Sequence, residues 1–298
     1  MSVRIPSESD RRGRRIAWSA LPVALLAIGS AAVLVRSIPE VEPVAIAFWR
    51  TAAVGLLLAP ALRRVSRRDA IGIALAGACL ALHFSAWFTS LGLTSVLRST
   101  VLVCTCPFFA AAFEWLGSGR NTARGRRFFA GSALGLVGVG LLVRPESAST
   151  DASLRGDALA LSGAVLMGAY FAIGRRVRPR VGIGTYASGV CLVAAALLLA
   201  AAWLTNTPLA GYSSGSWLGL ALLALGPQLL GHNGFNLALR HIEASTVGAV
   251  ILLEPLVAGV LAGLVLDEWP GPLAALGGAI AVAGVAMATL ERAPAAQE

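Results

Sequence analysis

Four polar side chains fall within nine positions of an otherwise apolar stretch: Gln228, His232, Asn233 and Asn236. The spacing of four puts Gln228, His232 and Asn236 on one face of an α-helix. A second apolar run follows the polar turn Arg240–Glu243 and carries Glu254 immediately before Pro255. Amides, an imidazole and a carboxylate in this arrangement can pass a proton or hold a polar ligand. They can equally hydrogen-bond between helices or, for Glu254, sit as a neutral acid that shapes a kink. Pro255 removes a backbone donor and leaves the Ile251 carbonyl without its usual helical partner, so Glu254 and that carbonyl together suit a proton or a substrate ammonium. Further candidates lie upstream. His83 and Trp87 are one helical turn apart, the first a candidate lining residue or a structural histidine, the second a cavity wall or a packing aromatic. Arg50 suits either a substrate carboxylate or an acidic side chain. Pro107, Pro227 and Pro255 are the expected kink positions.

What these residues can do depends on their solvent. The chain has 298 residues, 57% of them hydrophobic and only 13% charged, with mean hydropathy +0.76. That excludes disorder and disfavours a water-soluble globule. The net charge of +9 comes with 24 cations that are all arginine, set in short runs between apolar segments. This is the pattern of cytoplasmic membrane loops, not of a nucleic-acid surface. The four cysteines lie inside apolar segments and read as free thiols; Cys104-Thr-Cys106 lacks the spacing of a zinc site, and no metal centre or cofactor is expected. A Walker A loop and a Gly-x-Ser-x-Gly elbow are absent, so neither ATP-driven transport nor serine hydrolysis is indicated.

Ten apolar segments recur, at Ile16–Val35, Val44–Ala61, Ala70–Leu91, Ser95–Leu116, Phe128–Val143, Gly156–Gly174, Thr185–Leu204, Trp217–Leu239, Ala244–Leu266 and Pro272–Leu290. Each is near the length that crosses a hydrocarbon core, and continuous runs in lipid are helices. The fold class expected is therefore an all-α integral membrane protein of ten transmembrane helices with both termini cytoplasmic. Nineteen arginines then fall on the cytoplasmic side, and three (Arg36, Arg144 and Arg155) fall outside. The Ile16–Val35 run is long enough to span, so the basic N-terminus reads as the flank of an uncleaved first helix. Glu254 is ten residues into the ninth segment, roughly 15 Å deep at 1.5 Å per residue, the middle of a core of about 30 Å. Arg50 lies about 9 Å below the outer face by the same rise. Arg98, near the outer end of the fourth segment, can snorkel to water.

Pro107 and Pro255 are 148 residues apart, and His83 falls within one position of His232 at that offset. Gly131-x-x-x-Gly135-x-x-Gly138 resembles Gly277-x-x-x-Ala281-x-x-Gly284, and Gly29 and Arg36 match Gly168 and Arg175. Five helices per half is an odd number, so the halves would enter the membrane from opposite sides. The expected organisation is a cytoplasmic tail (1–15), a first five-helix repeat (16–143), an external linker (144–155), a second repeat (156–290) and a cytoplasmic tail (291–298).

Phe48-Trp49-Arg50, the run Thr89–Ser95 leading to Pro107, Gly156-Asp157, Ala238-Leu239-Arg240 through Ala244-Ser245-Thr246 to Glu254-Pro255, Asp267-Glu268 and the glycine-rich last helix together resemble the EamA-type members of the drug/metabolite transporter superfamily. The resemblance covers both halves. It implies ten helices in two inverted repeats and passage of small metabolites, amino acids among them, often outward. The first half departs from symmetry: it has Cys106-Pro107 where the second has Glu254-Pro255.

The function expected is a secondary transporter of small polar metabolites, an exporter working by alternating access in a bacterial cytoplasmic (inner) membrane. Its partners are a small-molecule substrate and the lipid bilayer, with no nucleic acid, and homodimerisation is compatible with the sequence. The alternative is an integral membrane enzyme acting on lipid-linked substrates, which should gather acid, base and arginine groups near one membrane face. Glu254, His232, Arg50 and His83 are instead spread over several depths.

Overall fold

Every regular element is helical among the residues that this computed structural model describes, 8–94, 96–117, 126–142, 151–242, 247, 250–267, 269 and 271–289. A backbone clothed in apolar side chains must pair its own donors and acceptors, and a helix does so within one segment. Helices α1 (Glu8–Gly29) and α2 (Ala31–Arg36) meet at Ser30. Helix α3 (Pro43–Leu57) begins on a proline, whose missing N–H would be unpaired there in any case. After a 3₁₀ turn at Ala59–Ala61, α4 (Arg67–Leu93) starts on Ser66, whose hydroxyl accepts from the backbone N–H of Asp69 at 3.1 Å. Then come α5 (Val96–Val103), α6 (Cys106–Gly117), α7 (Arg126–Leu142), α8 (Asp151–Val177) and α9 (Ile183–Thr205). Helix α10 (Ser214–Leu223) runs through a π-helical stretch, Ala224–His232, into α11 (Asn233–Ala238). Helices α12 (Glu254–Leu266) and α13 (Pro272–Thr289) close the chain.

Four of these are long and apolar enough to cross a membrane: Arg11–Arg36, Arg67–Leu93, Leu154–Val177 and Ile183–Thr205. Their outer faces carry bare apolar side chains, among them Leu26, Leu75, Leu82, Leu161, Trp203 and Leu204. The fourth predicted segment, Ser95–Leu116, is not one helix. It breaks at Cys104–Thr105, and Pro107 is the second residue of the new helix, where proline is tolerated. Pro255 holds the same place in α12. Pro227 lies inside the π-helical stretch Ala224–His232, where the α-helical ladder is already interrupted. The predicted start of the ninth segment (Ala244–Thr246), Glu243, Glu268, the arginines at 120, 124, 144 and 292 and both extreme tails lie outside the described residues.

Packing links the first five helical segments to the last five. Helix α4 lies antiparallel to α8, since Gly72 meets Val177 and Gly156 meets Leu93. Helix α9 packs on α3 and α4, α1 packs on the π-helical turns and α11, and α7 packs on α13. The α7–α13 crossing is so close that a Cβ on Gly138 would strike the backbone of Ala281 and Gly277, and one on Gly284 would strike Gly135 and Gly131. Each residue in the first contact stands 146 positions from its counterpart in the second. The same reciprocity holds for Gly29 against Val257 and Gly168 against Phe109, where a Cβ would come within 2.5 and 2.6 Å of the facing side chain.

The two ends of the helix bundle are fastened differently. At one end Glu40 accepts from the N–H of Ser213, the residue capping α10, at 2.9 Å. Hydrogen bonds from Ser216 and Ser213 hold its carboxyl below the usual carboxylate range. Glu42 takes the Thr207 hydroxyl at 2.8 Å, and the Trp49 indole donates to the Leu209 carbonyl at 2.9 Å. At the other end Arg180 pairs with Asp69 at 2.6 Å, and Arg175 and Arg178 donate to the carbonyls of Leu239 and Asn236, each at 3.0 Å. Those arginines satisfy and neutralise the C-terminal end of α11.

Candidate functional site

Ile28, His83, Trp87, Val103, Cys106, Met167, His232, Ile251 and Glu254 line an internal cavity. Its volume is about 20 Å³, room for about one water molecule. Eight of the nine lining residues form four pairs at nearly constant separations in the sequence: Ile28 with Met167, Val103 with Ile251, Cys106 with Glu254, and His83 with His232. Their separations are 139, 148, 148 and 149 residues. The cavity therefore sits between residues of the first half and residues at nearly the same separation in the second.

The chain breaks of α5–α6 and before α12 put polar groups here. Glu254 opens α12 and is 3% exposed. Its Oε2 receives the Cys104 thiol at 3.6 Å, across from the α5–α6 break. An ionised carboxylate at such depth costs on the order of 3 kcal/mol on the most lenient insertion scale, so its place is one that function or a partner must justify. His83, on α4, donates Nδ1–H to the Gly163 carbonyl at 2.9 Å, because a carbonyl only accepts. Its ring stacks on Trp87, with centroids 5.8 Å apart. His232 makes no hydrogen bond through either ring nitrogen, and its ring meets Phe84 edge-on with centroids 5.2 Å apart.

The remaining sequence candidates lie beside this cavity or further along the π-helical turns and α11. Gln228 accepts Arg50 Nε–H at 3.0 Å and donates Nε2–H to Cys191 at 3.4 Å. Arg50 is 0% exposed, and its guanidinium lies 4.1 Å from the Phe84 ring centroid. Asn236 accepts the Tyr170 hydroxyl at 2.7 Å and donates to Asn233 at 3.4 Å. The structure thus gathers Glu254, His232, His83 and Trp87 on one cavity, sets Arg50 and Gln228 together to one side, and engages Asn233 and Asn236 with each other and with Tyr170. An α-helix drifts by about 40° every four residues. The wider π-helical turns offset that drift, which keeps Gln228, His232 and Asn236 all turned inward. Arg98 does not run out to water: its Nε donates to both carboxylate oxygens of Asp157, at 2.8 and 2.9 Å.

Cys104, Phe84, Met167 and Ile28 complete the surroundings of the site without having been singled out by residue type. Phe84 follows His83, and Cys104 stands two residues before the Cys106–Pro107 step. The signal for both was position relative to a polar neighbour. No metal-binding group of histidine, cysteine, aspartate or glutamate occurs among the described residues.

Residues 154–290, from α8 to the last helix, match the EamA-like transporter family. The similarity is confined to the second half of the chain. No curated protein matches the chain by sequence. A crystal structure of another protein shares its fold, with TM-score 0.73 and 24% identity over 93% of this chain and 98% of the other. Glu254, His232, Ile251 and Met167 all lie within the matched residues, while Arg50, His83, Trp87 and Cys106 come from the residues before them.

Proposed function

We propose that this EamA-type chain is a secondary transporter of small polar metabolites, amino acids or related compounds among them, and that it works outward across a bacterial cytoplasmic membrane. Ten spans in two inverted five-helix repeats, with cytoplasmic termini, would rock about the central cavity by alternating access. The observation that carries the reading is the cavity wall itself, built from paired positions of the two halves with Glu254, His232 and His83 on it. Reciprocal glycine contacts at the α7–α13 crossing support the same symmetry, and the arginine asymmetry of the sequence supports the orientation.

Purified protein reconstituted into proteoliposomes tests it. Labelled amino acids and related metabolites should equilibrate or accumulate faster than in empty vesicles, with and without an imposed proton gradient. The flux should be lost in Glu254→Gln while the variant still inserts and elutes as the wild type does. Wild-type flux in that variant removes Glu254 from the pathway. Chemical turnover of a lipid-linked substrate without translocation would replace the transporter with the membrane enzyme.

A further inference from the structure

Six buried side-chain nitrogens in this region find no hydrogen-bond partner among the described residues: Nη1 and Nη2 of Arg50, Nε1 of Trp87, both ring nitrogens of His232 and Nδ2 of Asn233. Guanidinium and indole nitrogens only donate, and a neutral imidazole donates once and accepts once. The region is therefore rich in donors and short of acceptors. Glu254 is the one carboxylate on the cavity wall among the described residues, and Arg50 makes no hydrogen bond to it. A buried charge without a hydrogen-bonded counter-charge is among the costliest features a fold can keep.

Arg50 is also held in a particular way. Gln228 takes its Nε–H, Phe84 lies under its plane, and the fork of Nη1 and Nη2 is left over. An arginine kept only for packing would be expected to spend its fork on backbone carbonyls, as Arg178 does with Val181. Phe84 touches both groups, Arg50 across its face and His232 in a near-perpendicular ring contact, so the guanidinium and the unpaired imidazole share one aromatic neighbour.

We propose that Arg50 is the anchor for a carboxylate on the transported molecule. Nη1 and Nη2 take the two oxygens as a fork, and the Trp87 indole and His232 are the further donors that the region offers. A singly charged carboxylate matches the one guanidinium. A phosphate dianion would bring an extra charge against Ile28, Val103, Met167 and Ile251. The assignment rests on the proposed transport function and on a substrate site that extends from this cavity past Phe84 to Arg50 beside it. Arg50 is thus expected to discriminate by head group and leave the rest of the molecule to other walls.

The test is ligand-induced thermal stabilisation of the detergent-solubilised full chain. The probes are matched pairs of a carboxylate and its primary amide, drawn from aliphatic, α-amino and aromatic acids, with alkylamines and inorganic phosphate alongside. At least one carboxylate should bind more than about tenfold tighter than its amide, since a site built around a charged hydrogen bond rejects the analogue lacking it. Arg50→Gln should weaken that carboxylate by roughly 100-fold and bring it level with the amide. Arg50→Lys keeps the charge without the fork and should recover only part of the preference. Trp87→Phe, milder for folding, should narrow the acid-to-amide ratio without abolishing it. No preference in any pair, a preference for amine or phosphate, or an unchanged ratio in both Trp87→Phe and Arg50→Lys overturns the proposal. Proteoliposome flux separates the two readings. Flux that persists while carboxylates show no preference leaves a transporter without this anchor. An Arg50-dependent carboxylate preference without flux of any probe leaves the anchor without a transporter.

Discussion

The two walls of the cavity occupy matching positions and offer different chemistry. On the wall contributed by α4–α6, His83 gives its proton to the Gly163 carbonyl, and the residue before the proline is Cys106. On the opposite wall, His232 has no hydrogen bond and the residue before the proline is Glu254. Arg50 has Val190 as its counterpart 140 positions on, by the register that sets Pro39 against Pro179. At these paired positions the helix starts and glycine contacts recur, and the charges do not. Residues that set helix crossings should therefore respond alike to mutation, and residues that face the cavity should respond unequally.

The largest inequality is expected at the helix breaks. Glu254→Gln should lower proteoliposome flux by about 100-fold or more, because a buried carboxylate in a span is retained for its charge or its proton. Cys106→Ala should stay within about threefold, because a buried thiol packs as a small hydrophobe. Equal losses would mean that the breaks matter as shapes and not for the acid. The α7–α13 crossing should show the opposite pattern. Gly138→Ala and Gly284→Ala each push a methyl group into facing backbone and should each cost about 1–3 kcal/mol. Detergent thermal denaturation of the two variants should agree closely, and a large difference would argue against reciprocity at this crossing.

The histidines sharpen the comparison further, with effects that differ in sign. His83→Phe leaves a carbonyl without its side-chain donor and should destabilise by about 1 kcal/mol, whereas His232→Phe removes a ring whose nitrogens are already unpaired and should be neutral or stabilising by about that amount. The two variants should separate in thermal denaturation, and a shared destabilisation would mean that His232 has a partner. The smallest effect is expected at the bundle end. Glu40 titrates below its ordinary range in the fold, so its contribution is present above the unfolded-state value and is lost as pH falls through the folded one. Glu40→Gln should flatten this acid-side decline of thermal stability, and a decline unchanged from the wild type assigns the acid sensitivity to other carboxyls.

Much of this site was legible in the sequence because burying polar residues in apolar runs leaves a clear mark. The spacing of Gln228, His232 and Asn236, and the isolation of Glu254, point inward from the sequence alone. Other features had no such mark. The Arg98–Asp157 pair joins residues 59 positions apart, and nothing local to Arg98 tells snorkelling from pairing. The π-helical turns at Ala224–His232 leave the same apolar pattern as an α-helix. Pro107 signalled a disturbance in the fourth segment, but a proline inside an apolar run reads equally as a kink or as the first turn of a new helix. Arg50 was left between an acid and a ligand by its sequence. Its Nε contact to Gln228 narrows that choice through a partner that belongs to another helix.

Cys106 turns the cavity into something that can be timed. It lines the cavity, is 1% exposed, and shares near-complete burial with Cys104 and Cys191, while Cys79 is only partly covered. Cys106 is shut away from a water-soluble thiol reagent in this arrangement, and Cys79, midway along the α4 span, is the least covered of the four thiols. Once Cys79 is replaced by serine, any slow covalent labelling reports how often the centre opens to water, and reagent confined to one side of a vesicle reports toward which side. With Cys79 replaced, the thiol already on the cavity wall serves as a clock for opening, with no introduced probe.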